Sequence, residues 1–216
     1  MSHADDPTGQ GPNPVPPRPI RLIDGLAGSP QEVVPASLVC DLPPDRLPDI
    51  EQAWSPARQA VSTHLLALGR PAEHAHWNWR NKSNPDRHRI FAVECAGGVQ
   101  GLMAVLRKPR PAGIAAAPGP VVYVDFIEVA PWNLKSGPNP PRYRGVGTVL
   151  IAEAIRLSQE MGLCGRVGLH ALPQAEDYYL SHCRMTWVGR DDRYYDLAYF
   201  EYTEQQAAEW LAESGT

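Results

Sequence analysis

Arg142-Tyr143-Arg144-Gly145-Val146-Gly147, running directly into Thr148–Met161 (TVLIAEAIRLSQEM), is the stretch that decides the fold of this chain. A glycine turn opens its clearest amphipathic helix. Val146, Leu150, Ala154, Leu157 and Met161 form one apolar stripe, and Glu153, Arg156, Gln159 and Glu160 face away from it. Gly162 fits the C-terminal cap. A helix start presents unpaired backbone N–H groups and the positive end of the helix dipole. The two glycines leave room for an anion to approach, and Arg142 and Arg144 add positive charge. The turn therefore suits a phosphate or pyrophosphate. The Walker pattern GxxxxGK[ST] is absent. A dinucleotide fingerprint needs a third glycine where this chain has Leu150, and an acidic residue after the next strand, which is also missing.

Working outward, three strands precede the turn. His88–Cys95 and Val99–Arg107 flank a Gly97-Gly98 hairpin turn, and Val121–Val129 follows a Pro/Ala/Gly connection over 109–120. Loop lengths make this meander antiparallel. A Pro/Gly loop over 133–141 then leads to the glycine turn. Downstream come a short strand Val167–Ala171, a short helix Ala175–His182, and strands at Trp187-Val188 and Asp196–Tyr202. A closing helix spans Thr203–Glu213, with Thr203 and Gln206 at capping-box spacing. Upstream, Glu32–Val39 reads as a strand weakened by Pro35. Ser55-Pro56 reads as the start of a helix that ends near Gly69-Arg70-Pro71. Residues 73–86 read as a loop or short helix. The Pro-rich residues 1–19 bury too little apolar surface to order themselves. The expectation is one α/β (α+β) domain over residues 20–216, with a mixed, mostly antiparallel central sheet flanked by helices.

A net charge of −4 provides no basic field for a nucleic acid, so no nucleic-acid partner is expected. No leader-like start and no apolar run of membrane-spanning length occurs. The expected setting is therefore cytoplasmic, without membrane contact, as a monomer or homodimer. Cys40, Cys95, Cys164 and Cys183 lack CxxC spacing and read as reduced core residues. His74-x-His76 with Trp77 and Trp79 lacks the further ligands that a metal site needs, so no metal is expected.

The pattern [Q/R]xxGx[G/A], filled here by Arg142, Gly145 and Gly147 and placed after Val129-Ala130-Pro131, resembles the acetyl-CoA pyrophosphate loop of the GNAT superfamily of N-acyltransferases. Ala175-Glu176-Asp177-Tyr178-Tyr179 resembles that family's Ala-x-x-(aromatic)-Tyr segment, and the likeness runs over about residues 89–202. The chain departs from the pattern at Leu172, where an Asn is common, at Cys183-Arg184-Met185, where Gly-Phe is common, and in its longer loop over 131–142. The resemblance implies an acetyl-CoA-dependent transfer to a primary amine, on a small molecule or a protein that the sequence does not identify. It implies that Arg142, Arg144, Gly145, Val146, Gly147 and Thr148 hold the cofactor diphosphate. It also implies that backbone groups of Ile127 and Val129 pair with the pantetheine arm, an N–H near Val129 serving as oxyanion donor. Tyr179 is the implied general acid, with Tyr178 as fallback. The base is Glu128, Asp125, His170 or a relaying water. A regular strand sends Asp125 and Glu128 to opposite faces. A non-catalytic acyl-CoA-binding module and an unrelated α/β interaction protein remain the other readings.

Overall fold

The computed structural model describes residues 16–26, 32–72 and 77–215. Its elements run β1 (Arg18–Asp24), β2 (Val33–Val39), α1 (Leu47–Ala67), α2 (Trp79–Lys82), β3 (His88–Cys95), β4 (Gly98–Leu106), β5 (Arg110–Pro111) and β6 (Pro120–Val129). After these come β7 (Tyr143–Arg144), α3 (Val146–Glu160), β8 (Val167–Ala171), β9 (Thr186–Asp191), β10 (Leu197–Glu201) and α4 (Glu204–Ser214). They build one mixed α/β sheet ordered β7-β1-β2-β3-β4-β6-β8-β10-β9, with β5 paired to β6. Every pairing is antiparallel except β6 with β8. The meander forms the middle of the sheet, as expected.

Helices cover both faces, which is why β4 is buried along nearly its whole length rather than in alternation. One face packs Phe91, Val93, Met103, Val105, Val122 and Val124 against Leu150, Ile151 and Ala154 of α3. The other packs Ile90, Ala92, Leu102 and Ala104 against Trp54 of α1 and Trp79 of α2. Each buried Val, Leu, Ile, Phe or Met among them contributes about 1.5–3 kcal/mol of transfer free energy.

Several expectations are corrected. Strand β1 begins at Arg18, so residues 18 and 19 of the expected tail belong to the sheet, while residues 1–15 lie outside the described residues. Helix α1 starts at Leu47, with Pro48 in its first turn, and Pro56 sits inside it. Proline there is tolerated because Gln52 and Pro56 are both exposed, so water can reach the carbonyl that loses its partner. Pro35 does lie in β2, opposite Arg21 of β1, before β3 joins at Ser37. Glu153 faces inward, paired with Arg18 and accepting from Cys40 Sγ, whereas Met161 is exposed. The expected helix Ala175–His182 breaks into a 3-10 turn at Pro173–Ala175 and a π turn at Tyr178–His182. Cys95 and Cys183 are buried, Cys40 is half-buried and Cys164 is exposed; all four are free thiols. The capping box at Thr203 and Gln206 forms as read.

Candidate functional site

The site is built where β6 parts from β8. Their parallel pairing covers only Val122, Tyr123 and Val124 against Val167, Gly168 and Leu169. Beyond Val124, β6 stays on β4 while β8 diverges, so Asp125–Val129 borders an open wedge in the sheet. Opposite β4, Val124 pairs with Val105 and Phe126 with Ala104, which leaves Asp125 as an extra residue in a β-bulge. Val122 N–H donates to Arg166 on the β8 side, and Ala130 N–H donates to Gln100 on the β4 side. Counting from those two bonds across the bulge, the peptide groups of Ile127 and Val129 are directed into the wedge.

The start of α3 closes the wide end of this wedge. Gly145 is the N-cap residue, in left-handed backbone at φ 88°, and no side chain caps the helix. That conformation suits glycine, and a Cβ there would meet nothing within 4 Å, so space lies open beside the N-cap of the helix. Gly147 is in contact range of β6, its Cβ position being 3.9 Å from Val129 Cγ1 and 2.9 Å from Tyr178 Oη. Gly101 of β4 lets the helix approach, because a Cβ there would lie 2.5 Å from Val146 Cγ1. Val146 is buried in the core, and Thr148 Oγ1 sits 3.3 Å from His182 Nε2. Arg142 and Arg144 are both exposed at the turn. The main chain of Arg142 is pinned by donation to Trp132 O (3.1 Å) and acceptance from Gly25 N (2.8 Å). The preceding loop is anchored as well, by Asn133 bonded to Gln100 and to Tyr143 N–H.

The two tyrosines separate. Tyr179 is 5% exposed and packs into the core near Phe200, with its hydroxyl pushed up by burial. Tyr178 stacks on His182 and directs its hydroxyl toward the first turn of α3. That hydroxyl is buried without a hydrogen bond of good geometry, and burial raises it well above the usual tyrosine range.

The acidic residues also depart from expectation. The bulge shifts the strand's alternation by one, so Asp125 and Glu128 share the face covered by α1 and α2. Glu128 is buried and accepts from Arg58 (3.1 Å) and from Trp79 Nε1 (2.7 Å). Arg58 also bonds Glu51, which takes Trp79 N–H at 2.6 Å. Glu128 is thus engaged in a buried ion pair with Arg58. Asp125 bonds His88 Nε2 at 2.9 Å and lies 3.5 Å from Arg87. His74 and His76 lie outside the described residues, and among the described residues no cluster could hold a metal. No described helix is long and apolar enough to cross a membrane.

On the same face as Asp125, a cavity of about 1020 Å³ opens beside the point of divergence, lined by Arg110, Tyr123, His170, Asp191, Tyr194 and Tyr199 among others. His170 is the next residue of β8 after the last rung shared with β6. Tyr123, Arg110 and Asp191 were not legible as lining residues, since five separate segments supply this lining and no local motif marks it.

No protein-family model matches this sequence, and no curated protein matches it. Solved structures similar to it include the PaiA N-acetyltransferase of Thermoplasma acidophilum in complex with coenzyme A. That chain is 12% identical, with 77% of this chain and 99% of that one covered at a TM-score of 0.49. Mycobacterium smegmatis RimJ in complex with CoA-disulfide is 16% identical, with 91% and 94% covered at 0.48. A third is from a KacTA–DNA complex, at 14% identity, 68% and 86% coverage and a TM-score of 0.44. At these identities the likeness is one of fold.

Proposed function

We propose that this chain is an acyl-CoA N-acyltransferase of the GNAT type, moving an acetyl group from acetyl-CoA to a primary amine. The observation that carries the reading is a wedge between β6 and β8 that leads straight to an uncapped, glycine-opened helix start. Two features fit the coenzyme: open space over Gly145, and a buried Tyr178 hydroxyl directed at Gly147 in the same helix turn. Bound there, acetyl-CoA supplies an activated acyl group as a thioester.

The residues divide the remaining work. Backbone amides of Gly145, Val146, Gly147 and Thr148 hold the diphosphate, supported by the charges of Arg142 and Arg144. The peptide groups of Ile127 and Val129 pair with the pantetheine arm, and a Val129 N–H steadies charge developing on the carbonyl oxygen. Tyr178, the fallback in the motif reading, is better placed than Tyr179 to protonate the departing sulfur. Of the two acidic candidates, Glu128 anchors β6 through Arg58, and Asp125 is engaged with His88.

Asparagine and aspartate both tolerate left-handed backbone, so a pair of variants at Gly145 isolates charge. Gly145→Asn is expected to keep acetyl-CoA affinity within a few-fold by calorimetry, and Gly145→Asp to lose at least tenfold. Equal affinities for the two variants would remove this turn from the site. In a thermal-shift assay, ligand at 100 times its Kd adds about 2.7 kcal/mol of stability. Acetyl-CoA binding with no CoA release over a panel of amines would turn the reading to the non-catalytic binding module.

A further inference from the structure

The cavity beside the wedge is a built site. Glu201, fully buried, accepts from Gly113 N–H (2.5 Å), Ile114 N–H (3.1 Å) and Tyr199 Oη (2.6 Å), which fastens the 109–119 connection over the sheet as one wall. His170 stacks on Tyr194 with ring centroids 4.2 Å apart and lies 4.7 Å from the ring of Tyr199. Its Nδ1 is 2.6 Å from Tyr123 Oη. Its Nε2 is buried and 3.5 Å from Asp191 Oδ2. A carboxylate facing Nε2 favours the tautomer protonated there, which leaves Nδ1 to accept from the tyrosine. Tyr123, His170 and Asp191 thus form a chain from the cavity wall toward the surface.

Charge in the cavity is uneven. Arg190 is paired with Glu176, and Arg193 with Asp191. Arg110 Cζ lies over the ring of Tyr123, 3.9 Å from its centroid, and 5.1 Å from that of Tyr194. Among the described residues it has no carboxylate partner. A guanidinium stacked on one face keeps its N–H edge available for a planar anion.

We propose that this cavity is the acceptor site, that Arg110 there holds a carboxylate borne by the acceptor amine, and that Tyr123 and His170 take up the amine's proton. The inference rests on the acyltransferase reading and gives its acceptor a class: a small, amino-acid-like amine. The amine nitrogen's lone pair forms the new C–N bond, and the C–S bond breaks with its electron pair leaving on sulfur. The amine proton passes to Tyr123 Oη as the Tyr123 proton moves to His170 Nδ1. Sulfur takes the Tyr178 proton, and solvent restores both groups. Burial lowers the pKa of His170, so the ring stands neutral and ready to accept near neutral pH. The groups facing it are Tyr123 and Asp125 of β6, Arg110 of β5, Asp191 of β9, Tyr199 of β10 and Tyr194. Asp191 is kept ionised by its hydrogen bonds from Arg193.

Matched probes that differ only by a carboxylate test this: tyrosine against tyramine, and lysine against cadaverine, titrated calorimetrically into the full chain with coenzyme A present. The carboxylate-bearing member of at least one pair is expected to bind tenfold or more tightly. Arg110→Gln is expected to abolish that preference without changing acetyl-CoA affinity. Tyr123→Phe, which removes one hydroxyl, is expected to cut kcat at least thirtyfold at unchanged KM. His170→Gln is expected to remove a fall in kcat on acidification that, in the unsubstituted protein, sets in below the ordinary histidine value of about 6.5 because burial lowers the His170 pKa. Equal or absent binding within both pairs, a preference that survives in Arg110→Gln, or full kcat in Tyr123→Phe overturns the proposal. Failure of acetyl-CoA itself to bind would instead sink the underlying acyltransferase reading.

Discussion

A carboxylate's role depends on which donors reach it, and Glu128 shows how far those donors can be in sequence. Its partners, Arg58 and Trp79, lie on α1 and α2, so the reading from β6 alone could name the residue but not its task. Arg58→Ala would remove the guanidinium that donates to both buried carboxylates, Glu51 and Glu128. It is expected to cost about 3–5 kcal/mol in a urea titration. A cost below about 1 kcal/mol would show that water already screens the group. The tyrosine pair is the second residue-scale lesson. Spacing from Ala175 pointed to Tyr179, but the π turn brings the Tyr178 hydroxyl to the start of α3. Tyr178→Phe is expected to slow acetyl transfer tenfold or more with acetyl-CoA affinity retained. Tyr179→Phe is expected to affect mainly the melting temperature. The reverse pattern returns the acid role to Tyr179.

Among the elements, those bounded by glycine and proline were legible. Strand β3 and strand β8 begin and end where the sequence reading put them, and β6 differs by one residue. Turn residues fix such boundaries locally. Helix α1 was misplaced at its start because Ser55-Pro56 imitates a cap, whereas Pro48 marks the true first turn. The bulge at Asp125 left no trace in composition, yet it decides which face every later residue of β6 occupies. Gly101 was likewise read only as part of a strand, although it lets α3 approach β4. Gly101→Ala is expected to destabilise by about 1–3 kcal/mol through overpacking. It is also expected to weaken acetyl-CoA binding, because Val146 adjoins the open amides. Unchanged stability and affinity in that variant would mean that the helix start moves freely, contrary to the packing described.

For the whole molecule, the fold class was legible because the meander and the glycine-opened helix are local patterns. The two halves of the candidate site were not equally so. The proposed coenzyme half lies, apart from Tyr178, within one run of sequence, from Ile127 to Thr148. The cavity half draws on Arg110, Tyr123, His170, Asp191 and Tyr199, which only the sheet order brings together. The sheet stands between them and opens at the divergence of β6 and β8; under the proposed function that opening is the route of an amine on one face to a thioester held from the other.

The most direct test is a crystal structure of the protein with coenzyme A bound. The account predicts diphosphate oxygens within hydrogen-bond reach of the main-chain N–H groups of residues 145–148, with the pantetheine arm lying in the wedge beside Ile127 and Val129. A coenzyme bound on another surface, with the amides at the α3 start covered by protein side chains, would contradict it.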